Sequence, residues 1–203
     1  MAITRASQST VKQGLDKNKN FVAGIPPILG RYYLMGSVTV GSGGASSIEF
    51  TDIPPIYKHL QIRTICKDAG NFGSYYNLRA RFNSDSGSNY ARHALDGNGS
   101  SVSSYGLASE SSAGVGHVIN NSSGQTSCFS ANIIDILDYC NTSKTKTVRA
   151  LNGSDWNTGG GIRIKSSLWN NTSAISSILF FSDSNSNLIQ HTNICLYGIG
   201  RVS

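Results

Sequence analysis

From Tyr32 onward the chain alternates apolar and polar residues over short segments, and clusters of Gly, Ser, Asn and Asp close off nearly every one. HLQIRTIC places Leu60, Ile62, Thr64 and Cys66 on one side of an extended chain. NLRARF places Leu78, Ala80 and Phe82 on one side and Arg79 and Arg81 on the other. No window longer than about ten residues carries a helical period. The segments YYLMGSVTV, SSIEFTDI, HLQIRTIC, YNLRARFN, YARHAL, CFSANIIDIL, KTVRALNG, GIRIKSSLW, AISSILFFS and NICLYGIG read as strands. The connections GSGGAS, DAGNFGS, NSDSGSN and GSDWNTGGG read as turns. Many short strands with such turns predict an all-β fold, an antiparallel two-sheet β-sandwich of jelly-roll type.

A chain of 203 residues holds one sandwich and little else. Only 14% of residues are charged, and the net charge of +6 is unevenly spread. Residues 1–31 hold Arg5, Lys12, Lys17, Lys19 and Arg31 against Asp16, while the remainder is close to neutral. The reading is an N-terminal anchoring arm, 1–31, and a sandwich domain, 32–203. The arm lacks the interleaved aromatics of a single-strand binder, so no nucleic-acid partner is expected. It ends in an apolar stretch whose Phe21, Val22, Ile25, Pro26, Pro27, Ile28 and Leu29 are the candidate anchor onto a partner protein. No segment reaches the ~18 apolar residues of a membrane-spanning helix, and MAITRASQSTVKQG lacks the apolar core of a signal peptide. Synthesis in a cytoplasm without membrane insertion follows. The stretch from Asp96 to Thr126, rich in Gly and Ser, reads as an ordered excursion carrying a weak strand, because Val102, Tyr105, Leu107, Val115, Val118 and Ile119 recur through it.

The residues do not assemble a recognisable catalytic motif. There is no G-x-S-x-G, and His59, His93, His117 and His191 show no metal-ligand spacing. GSGGAS and NTGGGIRIK lack the phosphate-loop spacing. Asp135 and Asp138 lie three apart in a strand-like segment, so they face opposite sides and cannot share a proton task. Cys66, Cys128, Cys140 and Cys195 form no CxxC pair and read as buried free thiols. No catalytic residue, metal site or cofactor is expected.

FNSDSGSNYARHAL reads as a hairpin in which Ser84 and Asp85 cap the turn, Gly87 supplies a positive φ, and Phe82 packs on Tyr90. Together with SSIEFTDIPPIYKHLQIR, NGSDW and the closing LYGIG, it resembles a family of small jelly-roll virion proteins of tailed bacteriophages, especially phages of aquatic bacteria. The order and spacing match over about residues 32–200, and Ala23-Gly24-Ile25-Pro26 resembles the turn that ends the family's N-terminal segment. The resemblance implies a non-enzymatic virion structural protein, part of a tail fibre or tail appendage, held to other virion proteins by its arm. The alternatives are a capsid decoration or head-fibre protein and a carbohydrate-binding, lectin-like module. Self-association as a homotrimer is expected, with Arg79 and Arg81 as candidate interface residues. Tyr75, Tyr76, Trp156 and Trp169 are the candidate stacking platforms for a host surface glycan, against the plainer reading of aromatics at the rim of the core.

Overall fold

A computed structural model describes residues 32–71, 75–121 and 127–201, and the expected arm with its anchor Phe21–Leu29 lies outside them. The described residues form twelve strands: β1 (Tyr32–Thr39), β2 (Ile48–Phe50), β3 (Tyr57–Cys66), β4 (Tyr75–Phe82), β5 (Tyr90–Gly97), β6 (Val102–Glu110), β7 (Ala113–Ile119), β8 (Ser130–Ile136), β9 (Lys146–Trp156), β10 (Gly159–Trp169), β11 (Ile178–Ser182) and β12 (Asn193–Arg201). They build one sheet of eight strands, β1-β12-β3-β8-β9-β10-β5-β6, and one of four, β2-β11-β4-β7. Setting aside β5, β6, β9 and β10 leaves β1-β12-β3-β8 against β2-β11-β4-β7, the strand order of an eight-stranded jelly roll. Two antiparallel hairpins, β5–β6 and β9–β10, then widen the first sheet by four strands.

The core fills the space between the sheets as the alternation predicts. Leu60, Ile62, Thr64 and Cys66 all point inward and are buried, as are Leu78, Ala80 and Phe82. Burial pushes the Cys66 thiol up to about 12 despite hydrogen bonds from Thr64 and Asn132. No cysteine is in a disulfide, but only Cys66 is fully buried, the other three being half-buried.

Three expectations are corrected. NSDSGSN closes no hairpin: it carries the chain from β4 in the small sheet to β5 in the large one. The turn is made by Asn83 and Ser84, both at positive φ, with the Asp85 N–H bonded to the Phe82 carbonyl, so Gly87 is not the left-handed residue. The stretch read as holding one weak strand holds two, and the second, β7, is buried along its whole length. Its glycines are needed there, since a Cβ on Gly116 would lie 2.4 Å from Asn132 Oδ1 and one on Gly114 would lie 2.7 Å from Arg92 Nη1. Finally, Asp138 belongs to a turn after β8 at φ 49°, where Lys144 donates to its carboxylate and the His59 ring accepts from its N–H at 2.9 Å. The Lys144 hydrogen bond outweighs desolvation and holds the carboxyl below its usual range.

Candidate interaction surface

Among the four added strands, the middle of β10 wears its polarity inside out. In IRIK on β10, the cations Arg163 and Lys165 point between the sheets, at 2% and 0% exposure, while Ile162 and Ile164 point to solvent at 62% and 53%. An isolated strand of this composition would bury the isoleucines. The reversal follows from what lies opposite, because β7 offers backbone carbonyls and its neighbours offer polar side chains. Lys165 Nζ donates to Asn77 Oδ1 at 2.7 Å and to the Gly116 carbonyl at 3.0 Å. Arg163 Nη1 donates to Ser154 Oγ at 3.1 Å, its side chain lies beside the Asp96 carboxylate, and its guanidinium covers the Tyr75 ring at 3.8 Å. Glu110 bridges the sheets, one oxygen 3.0 Å from Arg79 of the small sheet and the other 3.1 Å from Arg92 of the large one.

This buried charge layer sets its own electrostatics. Desolvation, reinforced by Arg92, brings the Lys165 amine down to about 7. His117 is held neutral first by burial and then by Lys165, Arg163 and Arg92, and its ring stacks on Tyr75 at 4.5 Å. Lys165 and Arg163 each donate to fixed partners of this chain, and Arg92 is ion-paired with Glu110, so the layer is a structural filling, although Arg92 Nη1 and Arg163 Nε are buried without a hydrogen bond.

The outer face of these strands carries large apolar residues as well. The strand registers put Ile133, Leu151, Ile164 and Leu95 side by side across β8, β9, β10 and β5. The next row is Ile65, Ala131, Gly153, Ile162, Gly97 and Val102. All the large members are between 44% and 73% exposed. Ala131 and Gly153 leave a shallow depression of about 390 Å³, bordered by Ile65, Ile133, Leu151 and Ile162. A Cβ on Gly153 would meet nothing within 4 Å, so the notch is open toward solvent. On one side the field is bounded by a polar row, where Gln61 donates to Asp135 at 2.8 Å and Arg149 pairs with Asp135 at 3.0 Å. Contiguous apolar fields on exposed faces are in general a mark of contact surfaces, which makes this face the candidate interaction surface of the chain.

The residues singled out from the sequence fall elsewhere. Arg79 is 7% exposed and bonded to Ser112 and Glu110 within its own chain, so the expectation that it faces solvent or another subunit is corrected. Arg81 is half-buried, donates to the Ser111 carbonyl and lies over Phe181. Trp169 is 1% exposed, packed between Phe82 and Tyr90, and cannot serve as a sugar platform. Tyr75 is given over to His117 and Arg163, and Tyr76 packs against the core. Trp156 is half-buried at the tip of the β9–β10 hairpin, at the opposite end of β10 from Trp169. The four aromatics are not brought together. Among the described residues no group of three His, Cys, Asp or Glu stands close enough to hold a metal ion, and no helix is long and apolar enough to cross a membrane. Compared with protein-family models, curated proteins and solved structures, the chain matches none.

Proposed function

We propose that this chain is a non-enzymatic structural subunit of a bacteriophage virion, a jelly-roll module fixed to the particle through residues 1–31 and used in a tail fibre or tail appendage. The observation that carries the reading is the outer face of the eight-stranded sheet: β8, β9, β10 and β5 place Ile133, Leu151, Ile164 and Leu95 in solvent while Arg163 and Lys165 occupy the interior. A chain selected to work alone in water gains from the opposite orientation, by about 1 kcal/mol for each half-exposed isoleucine or leucine. A chain selected to assemble gains from this one. The resemblance of FNSDSGSNYARHAL, SSIEFTDIPPIYKHLQIR and LYGIG to jelly-roll virion proteins supplies the kind of assembly.

The test is to raise antibodies against the purified chain and image labelled particles of the phage that encodes it. Label on the tail or its appendages is the expected result. Label on the head would transfer the chain to the capsid decoration proteins, and particles that carry none of it would overturn the reading.

A further inference from the structure

The apolar field lies at one place in the sheet, centred between β9 and β10, and its two halves match each other. We propose that the outer face of the eight-stranded sheet is covered by the same face of a second copy of this chain, about a two-fold axis running along the strands between β9 and β10. Such an axis lays β10 of one copy over β9 of the other, β5 over β8, and β6 over β3.

Because the registers run straight across these strands, the pairs that meet can be read directly. Ile162, the most exposed isoleucine of the field, meets the notch at Gly153. In the adjoining row Ile164 meets Leu151, and Leu95 meets Ile133. Val102, 73% exposed, meets Ile65. Every large apolar side chain of the field thus finds an apolar or small partner.

The polar row agrees. The same axis sets the acidic Asp135 opposite His93 and the exposed Arg149 opposite Ser166, while Arg63 faces Ser104. No two like charges are brought together. Facing sheets pack about 10 Å apart, with strand directions about 30° from parallel, so the match is tightest in the strands beside the axis. A closed three-fold ring joins two different patches of each copy, whereas a face that complements itself is the property of a two-fold. The pairing therefore replaces the homotrimer expected from the sequence. It belongs to the isolated chain, so its failure would leave the virion reading standing, and failure of that reading would leave the pairing standing.

Sedimentation velocity of the full-length chain at micromolar concentration tests it, alongside Gly153→Leu, Ile164→Lys and Leu34→Lys. Leu34 is exposed on the same face but lies on β1, beyond the reach of the partner's β6. The expected result is a species of twice the 21.6 kDa chain mass. Gly153→Leu fills the notch and Ile164→Lys puts a charge beside the axis, so each should weaken the dimer by about tenfold or more. Leu34→Lys should leave it intact. Circular dichroism verifies that each variant is folded. A monomeric wild type, a trimer mass, or a dimer indifferent to both central substitutions would overturn the proposal.

Discussion

The indole N–H of Trp169 donates to Asp85 Oδ2 at 2.7 Å, tying the last residue of β10 to the loop between β4 and β5. The other carboxylate oxygen accepts from the Gly87 N–H and from the Asn89 amide, and the Asp85 carbonyl accepts from the Tyr90 hydroxyl. One side chain thus organises the crossing between sheets and closes one end of the aromatic cluster of Phe82, Tyr90 and Trp169. Asp85→Ala leaves the buried Trp169 donor without its partner and should cost about 1–3 kcal/mol, measured as a shift in the urea midpoint.

The same carboxylate predicts part of the acid limb. Desolvation raises its pKa, but the hydrogen bonds from Trp169, Gly87 and Asn89 outweigh that and hold it below the usual range. A group depressed on folding contributes stability above its unfolded value, about 3.9, and loses it as pH falls through the folded value. The difference in thermal midpoint between the wild type and Asp85→Asn should therefore shrink as pH is lowered from about 5 to 2.

Lys165 acts in the opposite pH window. Its folded value of about 7 lies below that of an unfolded lysine. The unfolded chain therefore binds more protons between about pH 7 and 10, and stability must rise with pH across that interval. Lys165→Met should abolish this rise, amounting to a few kcal/mol at most. Urea unfolding of both proteins at pH 6, 8 and 9.5 checks it.

Glu110 holds one arginine from each sheet, with little solvent around any of the three. Glu110→Ala strands Arg79 and Arg92 as buried cations and should destabilise by about 3–5 kcal/mol. A companion change of Arg79 and Arg92 to Met should recover part of that loss, because the remaining charges go with the first. Equilibrium unfolding of the single and triple variants decides it.

Gly116 should not tolerate a side chain. A Cβ there would collide with Asn132, whose amide donates to Thr64 Oγ1 and to the His117 carbonyl and whose oxygen accepts from the His117 N–H. Gly116→Ala should cost about 1–3 kcal/mol through displaced packing and lost hydrogen bonds, read from the urea midpoint.

Strand-forming segments were legible wherever alternation met a buried face. Leu60, Ile62 and Leu78, Ala80, Phe82 pointed the right way because one side of their strands faces apolar partners. The two strands of the stretch from Asp96 to Thr126 were obscure for a physical reason: β6 is exposed along nearly its whole length, and β7 uses glycines where neighbouring side chains press on its backbone. Val115, Val118 and Ile119 gave a strand signal for β7, but the glycines between them and the small polar residues of β6 diluted it to one weak strand. The inverted polarity of β10 was invisible for another reason, since IRIK alternates equally well with either face inward. The partners that receive the inward cations decide which, and apart from Ser154 in the neighbouring strand they, Tyr75, Asn77, Asp96 and the Gly116 carbonyl, come from distant parts of the chain. Arg79 misled in the same way, because Glu110 and Ser112 follow it by more than thirty residues.

Among the described residues the edge strand β1 has a single hydrogen-bonded neighbour, β12, which follows it in the chain by about 160 residues. Whatever tension reaches Tyr32 from the segment before it must therefore pass into Tyr32–Thr39 and, through that ladder, into Asn193–Arg201. Strand β12 in turn is paired along its other side to β3, inside the widest part of the sheet. A pull along β1 loads its whole ladder with β12 at once, in shear, where a pull across the strands would open the bonds one after another. Mechanically, the connection resembles a lap joint, with the tether glued along its length to a plank that is itself nailed into the floor.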